Sequence, residues 1–512
     1  MSQLIHIKMA RTLLFQPFLF VNSTFAFVHP GLLVSETDIT RIKYKLTQKL
    51  DPWQSSWDKL TSFSYGQPNY TNNAVARVYR DAATDITANA ELLWHDAAAA
   101  FALGLRWKIE GDAQYAEAAA AILTAWGEKL EDFDDVDDQY LTTGLQGHEL
   151  VNAAELIRDY APFAESGLAT FNAMFERTFL AKNLYFLNHS AGSEHNVKHF
   201  FANWELCNMA SVMAFGVLTD NSTLFDYAVD YFKTGSGNGG INNCISNFVT
   251  EPETGKIMGQ PQEAGRDQGH TGLDFQMLGV LDQQAWNQGE DLYGYNNSKI
   301  LLGAEYYARY NLNNDVPFEP YTNGIVSYTA ISEDSRGAYR PTWELLNAHY
   351  GQIKGVDAPW TKEYMNYTVT TMGGFEGGAG SWGEGSGHND GLGWGSLLYH
   401  LDPEDIATAG NNSLPTSNST SSFSNTTIAS TSTPTSVPSS IAVVTASSSI
   451  TSKQAIATTL SVASSASTLQ TVVIPTTSVF ESASPSLTSA AVVSTPTATE
   501  DEEEDDECFE ME

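Results

Sequence analysis

The chain has 512 residues, with 26 Lys and Arg against 61 Asp and Glu, for a formal net charge of −35. Removing the ten acids of the C-terminal run 500-EDEEEDDECFEME-512 still leaves about −25, which argues against nucleic acid and anionic membranes as partners. Three cysteines, Cys207, Cys244 and Cys508, make no disulfide framework, although Cys207 and Cys244 could pair, and no CxxC or HExxH spacing marks a zinc site.

In chain order, Lys8 and Arg11 precede the apolar run 13-LLFQPFLFV-21, with small residues at Ser23 and Ala26. This reads as a secretory signal over 1–26, and a short buried helix is the weaker alternative. Asn-x-Ser/Thr triplets at Asn69, Asn188, Asn221, Asn296, Asn366, Asn411, Asn418 and Asn425 fit a secreted glycoprotein. No later apolar run is long enough to span a bilayer. A globular domain is expected over 27–405, rich in Trp, Tyr, Phe and Ala. A Ser/Thr/Pro-rich segment follows over 406–499, of a composition that buries too little apolar surface to fold and resembles an O-glycosylated stalk. Such a stalk suggests association with a cell wall. Residues 500–512 read as a solvated acidic tail.

Within the domain the sequence predicts helix after helix: 91–111, 112–130 with Asp112 as N-cap, 144–162, 164–184, 198–218, 222–235, 271–288, 298–310, 341–350 and 391–401. Short loops containing Gly, Asn or Asp join them, as in antiparallel helical hairpins. No fixed sequence period is present, so an open solenoid is less fitting than hairpins closed into an all-α (α/α) toroid. The Gly-dense stretch 370–400 reads as an ordered loop, because Trp382 and Trp394 call for burial.

Three clusters could carry chemistry. The first, 188-NHSAGSEHNVKHFFANWELCNMAS-211, holds His189, His195, His199 and Asn203. At helical spacing His199, Asn203 and Cys207 share a face. Asn203 beside Trp204 sets an amide next to an indole, suited to a sugar and its carboxylate, or else to core packing. The second, 263-EAGRDQGH-270, places Arg266 and His270 four apart, on one helical turn, with Glu263, Asp267 and Gln268 around them. It is either a helix cap with a paired arginine or a ligand mouth opened by Gly265 and Gly269. The third, 335-SRGAYRPTWELLNAHYG-351, gathers Arg336, Tyr339, Arg340, Trp343, His349 and Tyr350, with Pro341 at a predicted helix start. In an acidic chain this is an anionic-sugar clamp, or Arg–Glu pairing inside the fold.

The runs SEHNVKHFFANWELCNMASVMAFGVLTDN, QEAGRDQGHT with 286-WNQGEDLYGYNN-297, and RGAYRPTWELLNAHYG resemble the alginate lyase family of secreted polysaccharide lyases, as does HPGLLVSETDITRIK near the start. The similarity runs from about His29 to Leu401. It implies an α/α toroid, β-elimination on an anionic uronic-acid polymer, and no cofactor. β-Elimination needs the C6 carboxylate neutralised, a base at C5 and an acid at O4. By resemblance, Asn203 is the carboxylate-neutralising amide, His270 the base or its electrostatic partner, and Arg266 and Arg336 the positive supports. Tyr339, Tyr350, Tyr293 and Tyr295 compete for the acid, and Tyr339 is chosen because it lies between two arginines. His195, Trp204, Gln268, Arg340, Trp343, His349 and Tyr350 are the expected substrate contacts, and no metal ligands are expected. Two other readings stand beside the lyase. One is a glycoside hydrolase using Glu263 and Asp267. The other is a non-catalytic carbohydrate-binding wall protein.

Overall fold

Caps, Ala/Leu-rich bodies and glycine stops recur along the chain, and the computed structural model turns them into paired helices. It describes residues 26–80, 87–133, 136–188 and 198–409, all within the first of the chain's two units, Met1–Ser421. After α1 (Glu36–Thr47) and α2 (Trp53–Ser62), the first full hairpin is α3 (Glu91–Glu110) with α4 (Ala113–Lys129). Gly111 stops α3 in the left-handed region at φ 79°, and the Asp112 side chain caps α4 by accepting from the Gln114 N–H. The short parallel strands β1 (Arg77–Val78) and β2 (Asp132–Phe133) flank this hairpin in sequence.

The next inner helix is α5 (Asp138–Ile157). Its outer partner is a continuous run in which π turns at Phe163–Gly167 and Glu176–Leu180 alternate with α6 (Leu168–Phe175) and α7 (Ala181–Leu187). α8 (Ala202–Leu218) pairs with α9 (Ser222–Thr234). The short α10 (Ile241–Cys244) then leads into an antiparallel hairpin of β3 (Ile245–Thr250) and β4 (Ile257–Pro261). α11 (Gln268–Asn287) and α12 (Tyr295–Asn311) follow, and then a small hairpin, β5 (Tyr321–Thr322) with β6 (Ser327–Tyr328). α13 (Trp343–Leu346) continues as a π turn, Asn347–Ile353, before α14 (Pro359–Thr371), α15 (Gly395–Leu398) and α16 (Pro403–Ala409).

α5, α8 and α11 are buried on nearly every side, whereas α4, α9 and α14 bury one stripe. The first set therefore forms the inner layer and the second the outer. Inner neighbours follow one another from α3 to α5, α8 and α11. Phe275 of α11 then meets Trp343 of α13 with ring centroids 6.0 Å apart. α13 packs on α15, α15 on α1 and α2, and α1 on α3. The ring closes, giving the all-α toroid of helical hairpins.

Several predicted boundaries move. α5 begins at Asp138 rather than near 144. Pro341 lies outside α13, whose N-cap is Thr342, and the proline in a helix first turn is Pro359 of α14. The last predicted helix shrinks to Gly395–Leu398, because glycines hold the preceding segment as loop. α1, α2, α14 and the β3–β4 hairpin were not among the predicted elements. Trp394 is buried as expected, but Trp382 stays half-exposed. Cys207 and Cys244 are buried free thiols, not a pair. The expected signal segment and acidic tail lie outside the described residues, as does the stalk beyond residue 409.

The N-terminal residues are sewn across the C-terminal ends of α5 and α11. The Gln288 amide accepts from the Val28 N–H at 2.9 Å and donates to Val28 O at 3.0 Å. The Leu33 N–H donates to Asn152 Oδ1 at 3.0 Å, and the Asn287 amide donates to Leu32 O at 2.6 Å. From the other end of the chain, Tyr399 donates to Leu33 O at 3.1 Å, and buried Lys45 meets Asp402 and Asp405, each at 2.8 Å.

A buried carboxyl makes the closing joint between α13 and α15. Glu376 Oε2 accepts from the Trp343 and Glu344 N–H groups at 3.0 and 3.1 Å. Ser396 Oγ accepts from the Glu376 N–H at 2.7 Å and donates to Glu344 Oε1 at 2.9 Å. Burial, with Glu344 nearby, pushes the Glu376 carboxyl from 4.5 up to about 8, against the pull of the backbone amides. The folded chain therefore keeps a proton there that the unfolded chain releases at lower pH. The stability this proton contributes is complete below pH 4.5 and is lost as pH rises through about 8. Glu376→Gln keeps an acceptor oxygen and has no proton to lose. Thermal melts across that window should show wild type losing stability relative to the variant, by up to about 1.4 kcal/mol per pH unit. Parallel stability curves would mean that the carboxyl does not hold its proton on folding.

Candidate active site

α8 and α11 begin side by side, and the loop after β4 serves both starts. A helix leaves its first N–H groups without partners. Phe201, the N-cap of α8, offers no side-chain acceptor. The caps come instead from distant residues: the Ala202 N–H donates to Gln262 Oε1 and the Asn203 N–H to Glu263 Oε1, both at 3.1 Å. The Asn203 amide adds a second bond to Glu263 Oε1 at 2.8 Å. A carboxylate at this position also suits the positive end of the helix dipole.

Glu263 Oε2 takes the Arg266 guanidinium at 2.8 Å. The guanidinium lies over the Phe201 ring, 3.9 Å from its centroid, and its Nη2 reaches His270 Nε2 at 3.2 Å. The other imidazole nitrogen, Nδ1, meets Asp267 Oδ2 at 2.7 Å. Asp267 Oδ1 meanwhile accepts from the His270 N–H at 2.7 Å and so caps α11. An ionised carboxylate only accepts and a guanidinium only donates. The network therefore assigns a neutral imidazole with its proton on Nδ1, and Nε2 as acceptor. Burial raises the Asp267 carboxyl, but its hydrogen bonds from the His270 side chain and backbone, with the Arg266 charge, outweigh it and hold the group below its usual value.

Asn203 and Glu263 are buried, and the exposed edge of the chain of contacts is His270, whose side chain is 34 % accessible. Asp274, one turn further along α11, lies fully buried against Glu263. Burial, then the nearby Glu263, push its carboxyl well up.

The structure thus brings Asn203, Arg266 and His270 into one contiguous network. It also adds Tyr328, which the sequence reading did not weigh. A Cβ on Gly265 would come within 2.5 Å of Tyr328 Cβ, so Gly265 makes room for this tyrosine rather than for a ligand. Burial pushes the Tyr328 hydroxyl up, with the Arg266 charge opposing the shift. A glycine before the helix was the only local trace of it.

The third cluster does not form a clamp. Arg336 stacks 3.8 Å from the Tyr310 ring centroid and donates to Tyr310 O and Asn314 O, so it fastens the end of α12. Arg340 donates to Gly269 O at 3.2 Å and to Gly387 O and Asp390 Oδ2, both at 2.8 Å. Both head groups are engaged away from Tyr339, whose ring meets Tyr367 and Trp382 instead. Gln268 is buried, with its amide donating to Ala264 O and Ser332 O and accepting from Asn311. Trp343, His349 and Tyr350 are also buried. His349 stacks on Tyr293 at 3.7 Å, and Tyr350 donates to Tyr293 O. These four side chains have no face to offer a sugar. Trp204 is half-buried and stacks on Phe200 at 4.9 Å. His195 lies outside the described residues.

The alginate lyase family model matches residues 43–318, more than half of the chain. The chain belongs to the alginate lyase family, and it is a polysaccharide lyase. Among solved structures it is similar to alginate lyase A1-III from Sphingomonas species A1, with 15% identity, 74% of this chain and 99% of that chain covered, and a TM-score of 0.44. A variant of A1-III complexed with a tetrasaccharide gives the same identity and coverage and a TM-score of 0.48. An alginate lyase from Bacteroides ovatus shares 13% identity over 73% of this chain and 100% of that chain, with a TM-score of 0.41. No curated protein matches. Among the described residues, no helix is long and apolar enough to cross a membrane.

Asp267 both caps α11 and holds the imidazole, and Asp267→Asn separates the two tasks. Asparagine caps as well as aspartate does, so thermal stability should change by less than about 1 kcal/mol. It lacks the charge that fixes the His270 tautomer, so turnover should fall roughly 10²-fold or more. Unchanged turnover would confine Asp267 to capping.

Proposed function

We propose that this lyase cleaves a uronic-acid polymer, of the alginate/mannuronan or glucuronan type, by β-elimination at the His270 network. The observation that carries the reading is a neutral imidazole whose Nε2 is shared with a guanidinium at the accessible edge of a buried acid–amide network. A uronate C6 carboxylate would compete for Arg266 and draw it off Nε2. The same step neutralises the carboxylate and exposes the base. The C5–H bond then breaks towards Nε2, its electron pair forms the C4=C5 double bond, and the 4-O-linked sugar leaves with a proton. Asn203 was expected at the substrate carboxylate, but it is buried with its amide on Glu263, so it keeps Glu263, and through it the guanidinium, in place.

Tyr339 is kept as the first candidate acid for O4, without the flanking arginines as its ground, since both are engaged elsewhere. Tyr328 is the second candidate, on the ground that it stands beside Arg266. The hydrolase alternative loses its pair of acids, because Glu263 is fully buried and both its oxygens are bonded. A merely carbohydrate-binding protein does not fit membership of a lyase family. Secretion and glycosylation belong to the same proposal. In their support, the described sequons at Asn69, Asn188, Asn221, Asn296 and Asn366 are all exposed. Wall association through residues 406–499 rests on their composition alone.

An absorbance screen for unsaturated uronate ends across a panel of polyuronates tests the reading directly, and absence of such product from every polymer would refute it. His270→Ala should cut turnover by roughly 10²–10⁴-fold, with stability kept within about 1–2 kcal/mol. Of Tyr339→Phe and Tyr328→Phe, the substitution that removes the acid should show a loss of the same order, and the other should not. Equal turnover of His270→Ala and wild type would remove the site from consideration.

The segment beyond α16 should be dispensable. A chain ending just after Ala409 keeps the Lys45 contacts with Asp402 and Asp405. Its specific activity on soluble polymer should match the full chain. Loss of most activity in a folded, shortened protein would assign the segment a part in catalysis.

A further inference from the structure

The Gly-rich loop between α14 and α15 has no task in the network described above, yet it is bound tightly to it. Arg340 is the link. Its Nη1 donates to Gly387 O and Asp390 Oδ2 on the loop, both at 2.8 Å, while its Nε donates to Gly269 O, one residue from His270, at 3.2 Å. The loop is braced internally as well: the Gly380 N–H donates to His388 O at 2.9 Å and the Asn389 amide to Gly385 O at 2.8 Å.

This bracing holds up an aromatic cluster. The half-exposed Trp382 ring lies 4.2 Å from the His388 ring, tilted 57°, and 5.7 Å from the Tyr339 ring, tilted 46°. A Cβ on Gly383 would come within 2.2 Å of the His388 ring, so a glycine is needed for that ring to lie on the loop backbone. Trp382 Nε1 has no hydrogen-bond partner, although buried indole N–H groups ordinarily find one. Core packing alone would leave neither part of the ring accessible nor a buried donor unused.

We propose that Trp382 is a sugar-stacking platform for the unit of the polymer on the leaving-group side of the scissile bond, and that Arg340 is a positioning residue that fixes the platform's register to His270. The placement rests on taking Tyr339, whose ring lies 5.7 Å from Trp382, as the donor to O4. The accessible part of the indole offers an apolar surface to the C–H face of a pyranose, while Nε1 is itself buried. The Arg340 charge is already paired with Asp390, so stacking rather than ion pairing is what the platform supplies. The inference rests on the lyase reading of the His270 network.

The test uses the full chain with Trp382→Ala and Trp382→Phe. On a long polyuronate, Trp382→Ala should raise KM by roughly tenfold while kcat stays within about twofold, as for loss of an aromatic binding anchor. Trp382→Phe should recover most of the difference. A second measurement needs no turnover: an oligouronate should quench the tryptophan fluorescence of His270→Ala, and adding Trp382→Phe should remove most of that quench. Unchanged KM in a folded Trp382→Ala protein, or a quench that persists without Trp382, overturns the platform while leaving the lyase reading intact. If wild type makes no unsaturated product, the lyase reading fails, and the fluorescence pair still decides the platform. Should Trp382→Ala not fold, the fluorescence measurement with Trp382→Phe decides the platform.

Discussion

Everything at the active end of the ring depends on one buried charge. Glu263 is fully shielded from water, and an isolated carboxylate in that position would cost several kcal/mol. It is tolerated because three donors converge on it: the Asn203 backbone, the Asn203 amide and Arg266. Two of these donors belong to α8 and the third precedes α11, so satisfying the carboxylate sets the first turn of α8 against the approach to α11. Arg266 is then aimed at His270, and the imidazole is held from its other side by Asp267. The same burial pushes the Asp274 carboxyl beneath well up, which disfavours a second negative charge beside Arg266. Remove the carboxylate and the residues remain, but nothing relates them.

Local signals were legible where the partner is a neighbour in sequence. Gly111 and Asp112 mark the α3–α4 junction, and Asn221 caps α9 through its own Thr223 and Leu224 N–H groups. The i, i+4 relation of Arg266 and His270 also held, because both stand at one helix start. The sequence posed Asp267 as either cap or chemistry. It does both, since its two oxygens point in different directions. What could not be read is which way a polar residue faces on an inner helix. α5, α8 and α11 are buried all round, so no wet stripe distinguishes Gln268, in the packing, from His270, one residue pair further on. Arg336 and Arg340 misled for a related reason. Their partners are backbone carbonyls supplied by tertiary contacts, and a carbonyl has no signature in sequence.

On the proposed reading, an acidic enzyme on an acidic polymer needs attraction that is local. With Arg336 and Arg340 engaged in the frame, the guanidinium of Arg266 is the cation placed at the imidazole. Its field is short in salt, where exposed charges are screened beyond about 8–10 Å. The long acidic surface then opposes approach in general, while the mouth favours one carboxylate at close range. Binding to such a site is expected to lean on shape and stacking along the polymer, with charge reserved for the ring that reacts.

The closure of the ring also has a consequence for synthesis. The segment around Val28–Leu33 docks on Asn152, Gln288 and Tyr399, and Lys45 docks on Asp402 and Asp405. As the chain leaves the ribosome, the residues around Val28–Leu33 wait for nearly the last ones of the domain. Early hairpins such as α3–α4 can form as they emerge, but the inner ends of α5 and α11 stay uncovered until residue 400 has appeared. The helices are local and fast to make, while the toroid is a long-range object. Its apolar interior is therefore open to a nascent-chain chaperone for most of its translation, and a premature stop anywhere before α15 leaves a row of finished hairpins with no ring.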